Sequence, residues 1–388
     1  MAAIDNAYNI DDLARLAKRR LPRGLYEFID RGAEDEVTMR ANVESIKRVF
    51  FRQRVGADVS VRDISATVFG VRQSMPLGIG VTGLSGMLAY EGEYKLARAA
   101  AAAGVPYTLG NTNFAPISEI RKICGDLLWR QTYPLKSRAA MDHVLQTTRD
   151  AGVRVLVLTM DSPIAGNREY MYRSGFQPGM TNARTYRDML MAPHWLFGTV
   201  LRYMMKGGLP QIADLPAGHR VFFGRRNTGA AFPADDFTWD DVRNLRRKWQ
   251  DVLVLKGLST AEDARIAMNL GADGIIVSNH GGRSLDGCVP SFGALPSIVD
   301  AVAPKMTVMV DGGFKRGSDI LKAIAVGASS VMVGRATVFG LAAGGQAGVA
   351  RALELLQQET SRALAMLACT SLSQVNRDML AFAGERTY

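Results

Sequence analysis

Short apolar runs recur along the chain, and most of them end in a polar or glycine residue that precedes a stretch of helical composition. Continuous apolar runs that alternate with helices are typical of parallel strands buried on both faces. Eight such units predict a closed (β/α)8 barrel, a TIM barrel, because that number closes a barrel more readily than an open sheet. The predicted strands are Pro76–Gly80, Val105–Leu109, Leu127–Trp129, Val153–Leu158, Val252–Leu255, Gly274–Val277, Thr307–Val310 and Ser330–Val333.

Two segments fall outside this regular spacing. The segment up to about Gln73 predicts one or two capping helices and a short hairpin. Roughly ninety residues, from about Ser162 to Asp251, separate the fourth and fifth predicted strands and form an inserted loop. We therefore predict a single domain over residues 1–388, with the barrel beginning at about residue 74 and the insertion at about 162–251.

The composition excludes several classes of protein. Three cysteines without a CxxC pair predict neither a disulfide framework nor a zinc site, and they favour a reducing compartment. Four histidines form no HxH or HExxH cluster, so we expect no metal site. The N-terminal stretch lacks the apolar region of a signal peptide, and no apolar run is long enough to span a membrane. These features predict a cytoplasmic protein.

Polar side chains or glycines follow nearly every predicted strand. One polar residue at such a position commonly caps the next helix, but the repetition favours a lined pocket, because a barrel enzyme assembles its active site at the carboxyl ends of its strands. The residues at these positions are Thr82, Asn111, Gln131, Tyr133, Thr159, Asp161, Lys256, Ser278, His280, Asp311, Gly334 and Arg335.

The last two units predict an anion site. DGGFKRGSDI (Asp311–Ile320) follows the seventh strand and GRA (Gly334–Ala336) follows the eighth. Glycines allow backbone N–H groups to approach an anion, and the nearby cations supply charge. Because many barrels bind a phosphate at these two loops, we expect a phosphorylated ligand here.

The sharpest local signal is SNHGGRSLDG (Ser278–Gly287), which places His280 just past a strand end and three residues before Arg283. A lone histidine is more often structural than catalytic. A planar guanidinium on the same loop, however, suits the capture of a carboxylate. A base beside such a cation is the arrangement that proton abstraction from a small acid requires.

These motifs together resemble the FMN-dependent 2-hydroxy-acid dehydrogenases and oxidases, a family that includes glycolate oxidase, L-lactate dehydrogenases and (S)-mandelate dehydrogenase. The resemblance covers nearly the whole chain, and GFKRGSDILKAIAVGA and GRATVFGLAAGGQAGV are most similar to the mandelate dehydrogenase branch. The other motifs that carry it are LPRGLYEFIDRGAEDE, SMPLGIGVTGLSGM, WRQTY, LTMDSPIAGNRE, VLKG and SNHGGRSLDG.

The resemblance implies FMN as the cofactor and His280 as the base, with Asp161 as its charge partner and Lys256 beside the flavin ring. It is compatible with either a carbanion or a hydride-transfer mechanism. The substrate-binding residues that it implies are Tyr133, Arg168, Arg283 and Phe28. The cofactor-binding residues that it implies are Val81, Thr82, Gly83, Gly110, Gln131, Thr159, Lys256, Ser278, Asp311, Gly312, Gly313, Lys315, Gly334 and Arg335.

Four positions depart from the family's pattern. Phe28 stands where most members have a tyrosine that helps bind the carboxylate, which predicts weak activity on glycolate or lactate and a preference for bulkier 2-hydroxy acids. Gly110 replaces a common serine and Val81 a usual proline. Lys315 replaces an arginine at the phosphate, which keeps the charge but loses the bidentate fork.

The inserted loop is basic and carries an apolar stretch. Residues 171–226 contain eight Lys or Arg and two Asp, and MLMAPHWLFGTVLRYMM (Met189–Met205) lies among them. The residues alone suit equally an element in an anionic membrane interface and a loop packed on the barrel or on a neighbouring subunit. The resemblance favours peripheral attachment to the cytoplasmic membrane, a quinone-type acceptor and a homotetramer. No nucleic-acid-binding module is recognisable.

Three other functions compete with a dehydrogenase. An oxidase would pass the electrons to O₂ and make H₂O₂; Gly83 is the small residue that dehydrogenase branches often carry. An FMN-dependent isomerase of the type 2 isopentenyl-diphosphate class would bind a diphosphate, whereas His280 with Arg283 and Arg168 suits a carboxylate. A flavin-binding protein that lost its redox activity through Phe28 would not be expected to keep His280 and Asp161.

Overall fold

Eight parallel strands form a closed barrel surrounded by helices, as the sequence predicts. The structure is a computed structural model, and it describes residues 4–176, 183–215 and 233–383. The strands are β1 Val49–Phe51, β2 Ala66–Val68, β3 Val71–Gln73, β4 Leu77–Ile79, β5 Tyr107–Leu109, β6 Leu128–Thr132, β7 Val155–Thr159, β8 Val252–Leu258, β9 Gly274–Val277, β10 Thr307–Asp311, β11 Ser330–Val333 and β12 Leu380–Phe382. The barrel consists of β4 to β11 in chain order, and β11 pairs with β4 to close it.

The helices fill the intervals between the strands. They are α1 Ile10–Arg20, α2 Arg23–Asp30, α3 Val37–Lys47, α4 Ser85–Leu88, α5 Gly92–Ala103, α6 Ile117–Cys124, α7 Arg138–Asp150, α8 Glu169–Ser174, α9 Ala183–Leu190, α10 Pro193–Trp195, α11 Arg202–Met205, α12 Trp239–Lys248, α13 Ala261–Asn269, α14 Ser291–Val302, α15 Gly317–Val326 and α16 Arg335–Met366. A π-helix, Leu196–Leu201, joins α10 to α11, and the described residues also include 3-10 turns at Gly125–Leu127, Leu372–Gln374 and Arg377–Met379.

The barrel interior is packed with side chains. Trp129, Val157, Val254 and Met309 belong to one buried cluster, whereas alternate strand residues pack outward against the helices. The predicted hairpin is β2–β3, and its turn residue Phe69 packs on Trp129 with 5.7 Å between the ring centroids.

The N-terminal segment contains three helices, one more than the upper number predicted. Residues of α1, α2 and α3 line the cavity at the carboxyl ends of the barrel strands, so these helices close over that mouth. β1 pairs antiparallel with β12 and joins the segment before the barrel to the segment after it. Each of these strands has three residues, too few for a periodicity that the sequence would reveal.

The insertion lies between β7 and β8, as predicted, and its described part contains α8 to α12 and the π-helix. Its residues 177–182 and 216–232 lie outside the described residues. Asp214 anchors the end of the described segment 183–215 to the barrel. Its carboxylate pairs with the guanidinium of Arg130 on β6 at 3.1 Å and accepts from the backbone N–H of Ile117.

Candidate active site

A cavity of about 560 Å³ opens at the carboxyl ends of the strands, within the range of about 300–1,000 Å³ typical of cofactor and substrate sites. The predicted site residues that line it are Phe28, Val81, Thr82, Gly83, Tyr133, Arg168, Lys256, His280, Arg283, Asp311, Gly312, Gly313, Lys315, Gly334 and Arg335. The other five stand next to this lining or behind it: Gly110, Gln131, Thr159, Asp161 and Ser278. The structure thus brings the predicted set to one end of the barrel.

The loop after β9 holds His280 in an unusual backbone conformation. The φ angle of His280 is +58°, and Gly281 and Gly282 follow with φ of +63° and +74°. A left-handed conformation is costly for a residue with a side chain and is kept mostly where function requires it. The Ser278 hydroxyl accepts from the backbone N–H of His280 at 3.0 Å and from Lys256 Nζ at 2.8 Å, which fixes the loop to β8.

His280 and Asp161 form a buried pair. His280 Nδ1 lies 2.9 Å from Asp161 Oδ1, so the other ring nitrogen, Nε2, points to the Tyr133 hydroxyl at 3.5 Å. Burial lowers the pKa of His280 below its ordinary value, and Asp161 offsets only part of that effect. The imidazole is therefore neutral at pH 7 and able to accept a proton. Sequence analysis missed Ser162, whose hydroxyl lies 3.3 Å from His280 Nδ1.

Asp161 stays ionised although it is buried. Burial alone would raise its pKa, but Lys256 and His280 outweigh that effect and lower it to about 2. Lys256 Nζ lies 3.9 Å from Asp161 Oδ2 and 3.3 Å from Asp311 Oδ2. Although burial would lower the pKa of Lys256, these two carboxylates raise it, and the lysine remains a cation at the cavity wall.

Gly257 makes this arrangement possible. A β-bulge interrupts the pairing of β8 with β9 at this residue, whose φ is +104°. A Cβ atom here would lie 2.5 Å from the Cβ of Asp161. Glycine therefore allows the backbone of β8 to approach the acid, which explains the VLKG motif in physical terms.

Arginine side chains gather on the other side of His280. Arg168 Nε donates to the Arg283 carbonyl at 3.2 Å, and Arg283 Nη1 donates to the Arg31 carbonyl at 2.7 Å. Burial and the neighbouring Arg283 lower the pKa values of both Arg168 and Arg335 to about 10, so these two side chains remain cationic at pH 7. A cluster of guanidinium groups beside a neutral imidazole is suited to an anionic ligand with an abstractable proton.

The loops after β10 and β11 form the predicted anion end of the cavity. Gly312 and Gly313 have φ of +96° and +91°, and a Cβ on Gly313 would lie 2.9 Å from the Asn42 carbonyl. Lys315 Nζ lies 2.8 Å from Asp11 Oδ1 of α1. Arg335 lines the cavity while donating to the carbonyls of residues 30, 31 and 281, so its fork also ties the end of α2 to the histidine loop.

The N-terminal helices contribute residues to the site that do not follow a barrel strand and were therefore not predicted. Asn42 of α3 exchanges two hydrogen bonds with Asn279, at 2.8 and 2.9 Å, and both side chains are buried. Asp30 at the end of α2 also lines the cavity. Asn42 lies four residues from both Thr38 and Ile46, on the same helical face, and a polar amide at that spacing is a sequence signal that could have indicated this contact.

Comparisons with known proteins agree with this geometry. Residues 17–382 match the FMN-dependent dehydrogenase family. An L-lactate dehydrogenase of Caulobacter vibrioides is 39% identical over 372 residues, 95% of this chain and 96% of that protein. An L-lactate dehydrogenase of Alcaligenes faecalis is 38% identical over 371 residues, which cover 95% of this chain and 97% of that protein.

Among solved structures, the monotopic membrane protein (S)-mandelate dehydrogenase is 37% identical and superposes with a TM-score of 0.90, covering 97% of this chain and all of that one. A mandelate oxidase with benzoyl-formic acid is 34% identical, with a TM-score of 0.80 and coverage of 97% and 98%. Both chains share this fold along their whole length.

Proposed function

The chain belongs to the family of FMN-dependent dehydrogenases, oxidoreductases that act on 2-hydroxy acids, and from that premise we propose its substrate class, its electron acceptor and its site residues. The substrate is a bulky, mandelate-like (S)-2-hydroxy acid that is oxidised to the 2-oxo acid. The electrons pass to a quinone, and the protein attaches peripherally to the cytoplasmic membrane.

The observation that carries the reaction is the position of His280 between Asp161 and the cavity. Its Nε2 takes a proton from the substrate, while the carboxylate bonded to Nδ1 at 2.9 Å stabilises the imidazolium that results. Arg168 and Arg283 hold the substrate carboxylate, and Tyr133 orients the reacting oxygen. When bound, FMN supplies the two-electron acceptor.

The residues present fit this cofactor. Asp311 Oδ1 is buried without a hydrogen-bond partner among the described residues, an acceptor suited to the ribityl hydroxyls. The cationic Lys256 at the cavity wall would stabilise the negative charge that a reduced flavin carries. Gln131 Nε2 donates to Thr159 Oγ1 at 2.8 Å, which leaves its amide oxygen facing Gly110 and able to accept from a bound flavin. The residues that would hold its phosphate all line the cavity: Gly312, Gly313, Lys315, Gly334 and Arg335.

The preference for a bulky substrate rests on the aromatic wall beside Arg283. The guanidinium carbon lies 5.3 Å from the centre of the Phe28 ring, and Phe28 packs edge-on against Phe176 at 6.0 Å. An aromatic wall beside a carboxylate clamp favours a substrate that has both a ring and an acid. Lactate is the second candidate, because the curated relatives at 38–39% identity are L-lactate dehydrogenases.

The acceptor proposal rests on Gly83 and on the insertion. A Cβ on Gly83 would lie 2.3 Å from Thr112 Oγ1, so this loop is built around the small residue that dehydrogenase branches often carry. The alternative is an oxidase that reduces O₂, and one of the similar structures is a mandelate oxidase.

Membrane attachment is supported by the exposed apolar side chains of the insertion. We call them the insertion patch, and its members are Leu190, Met191, Phe197, Met204 and Met205. Arg187 and Arg202 lie in the same segment, and apolar residues beside cations suit an anionic interface. Among the described residues, no helix has the length and apolar character needed to cross a bilayer. A homotetramer is the assembly that we expect in sedimentation experiments.

Anaerobic reduction of the flavin tests the function. We expect (S)-mandelate to bleach the oxidised-flavin absorbance faster than L-lactate, and the colour to return quickly with a short-chain quinone and slowly in air. Faster bleaching by lactate would replace the substrate proposal with the second candidate, and rapid recovery in air with H₂O₂ would replace the acceptor proposal with an oxidase.

The variant His280→Ala tests the base in the same assay. It should retain bound flavin and lose substrate-driven bleaching, because the base contributes about 10²–10⁴-fold. His143→Ala, a change on the surface helix α7, serves as the matched control and should bleach like the unmodified protein. Normal bleaching by His280→Ala would refute the assignment of the base.

A further inference from the structure

The insertion carries a feature that the reaction at His280 does not use. Residues 193–205 form one continuous helical run, α10, the π-helix and α11, with two different faces. One face is docked on the barrel: Trp195 is 4% exposed and its indole N–H donates to the Met87 carbonyl at 2.6 Å. On the same face, the Tyr203 hydroxyl accepts from the backbone N–H of Glu91 at 3.0 Å.

The docked face lies against the wall of the active-site cavity. Leu84 and Leu88, on either side of Met87, line that cavity. A single helix, roughly 10 Å across with its side chains, therefore separates the cavity wall from the outer face of the run.

The outer face contains an open cleft that combines an aromatic ring with two side chains able to donate hydrogen bonds. It is lined by Pro193, His194, Phe197, Gly198 and Arg202. A Cβ on Gly198 would meet no atom within 4 Å, so the glycine leaves the floor of the cleft open. The π-helix Leu196–Leu201 runs through the middle of it, and π-helical turns occur frequently at functional sites.

We propose that this cleft binds the headgroup of the quinone that accepts the electrons. A quinone ring is flat, is apolar on both faces and has a carbonyl oxygen at each end. Phe197, which is 61% exposed, offers an aromatic face, and His194 and Arg202 offer N–H donors eight residues apart on the same side of the helix. The other members of the insertion patch, Leu190, Met191, Met204 and Met205, are exposed apolar side chains that suit the isoprenoid tail.

The position of Arg202 is defined on its other side. Its guanidinium carbon lies 5.4 Å from the centre of the Tyr90 ring, and that ring packs on Tyr203 with 4.8 Å between centroids and a tilt of 56°. The aromatic ring orients the guanidinium beside the cleft. Such an oriented group can recognise a carbonyl oxygen, whereas a freely solvated surface cation would have no fixed direction.

The reaction balances across the two sites. The 2-hydroxy acid loses two electrons and two protons at the cavity and becomes the 2-oxo acid. The quinone gains two electrons through the intervening helix and two protons from the water at the membrane interface, and leaves as the quinol. The proposal rests on the proposed quinone acceptor, and the experiment separates the two.

Two variants test the cleft in the flavin-loaded protein. Gly198→Leu places a side chain over the open floor, where a Cβ meets no atom within 4 Å, and Arg202→Gln removes a cationic donor. We expect each to raise the KM for a short-chain ubiquinone analogue by about tenfold or more, the effect of losing a charge-assisted contact. Anaerobic bleaching by the 2-hydroxy acid and reduction of a hydrophilic dye should be unchanged. Lys206→Gln, at the end of α11 and outside the cleft, is the matched control.

A binding measurement adds a readout that does not depend on turnover. Quenching of tryptophan fluorescence by the analogue, which reports on Trp195 beside His194, should weaken in both variants and not in the control. Binding to vesicles of anionic phospholipid should be unchanged in Gly198→Leu.

Three results would overturn the proposal. Unchanged KM and quenching in both variants would show that the quinone binds elsewhere. Parallel losses of vesicle and quinone binding would show that the cleft holds a lipid headgroup. Failure of the unmodified protein to reduce the quinone would remove the acceptor and the cleft together, while bleaching by the 2-hydroxy acid would still support the dehydrogenase.

Discussion

Replacing Asp161 by asparagine should slow the reaction by a predictable amount. Asp161 Oδ1 lies 2.9 Å from His280 Nδ1, and the pKa of about 2 keeps the carboxylate ionised throughout the active range. A hydrogen bond to a charged group contributes about 1.5–3 kcal/mol, and the asparagine variant loses this when the imidazolium forms. The rate of substrate-driven flavin reduction should therefore fall about 10- to 150-fold.

The pH dependence gives the same substitution a second, independent test. Burial lowers the pKa of His280, and Asp161 partly offsets this. Without the carboxylate the pKa of the imidazole falls further, so the base stays unprotonated to lower pH. The acid limb of the rate profile should move to lower pH even though the plateau rate is smaller.

Anaerobic stopped-flow absorbance across the acid and neutral range measures both effects in one series. Asp150→Asn, an exposed change on α7, is the control and should alter neither the plateau nor the acid limb. An unchanged plateau, or an acid limb that moves to higher pH, would show that Asp161 does not act through His280. Lys256 should keep its charge in the variant because Asp311 remains 3.3 Å away.

Three further predictions concern stability and affinity. The pKa of Asp161 is lowered from 3.8 to about 2, so its contribution to folding is present above pH 3.8 and is lost as the pH falls through about 2. Urea titrations should therefore show that the unmodified protein loses its advantage in unfolding free energy over the Asp161→Asn variant across that interval. Phe28→Tyr places a hydroxyl beside Arg283 and should lower the KM for lactate by roughly 2- to 12-fold in steady-state assays, equivalent to about 0.5–1.5 kcal/mol, whereas a higher KM would contradict it. Arg130→Met leaves Asp214 buried without its cation and should cost about 3–5 kcal/mol in denaturant unfolding; adding Asp214→Asn should recover part of that loss, and equal stability of the single and double variants would refute the role of the pair.

The barrel could be predicted from the sequence because its strands carry a local signal. Each is a continuous apolar run, and burial on both faces imposes that composition wherever the strand lies in the chain. The predicted limits differ from the structure by a few residues at most, as at Val252–Leu258, where the strand continues through Lys256 and the bulge at Gly257. The bulge could not be foreseen, since it depends on how closely Asp161 approaches.

The location of the site followed from the same signal. Residues that follow parallel strands must meet at one end of a barrel, so His280, Lys256 and Asp311 could be placed together without knowing any distance. Their chemistry could also be anticipated from residue type and from the resemblance. The sequence alone could not show which nitrogen of His280 faces the cavity, because the bond to Asp161 joins residues 119 positions apart.

What the sequence determined by itself was therefore the barrel, the end at which chemistry occurs and the residue types available there. Only the tertiary structure decided how that end is covered: Asn42 reaches Asn279, Arg335 ties the end of α2 to the histidine loop, and Trp195 fixes the insertion to the cavity wall. Periodicity and strand ends are local properties of the chain, whereas the docking of a helix depends on surfaces that exist only after distant segments have packed together.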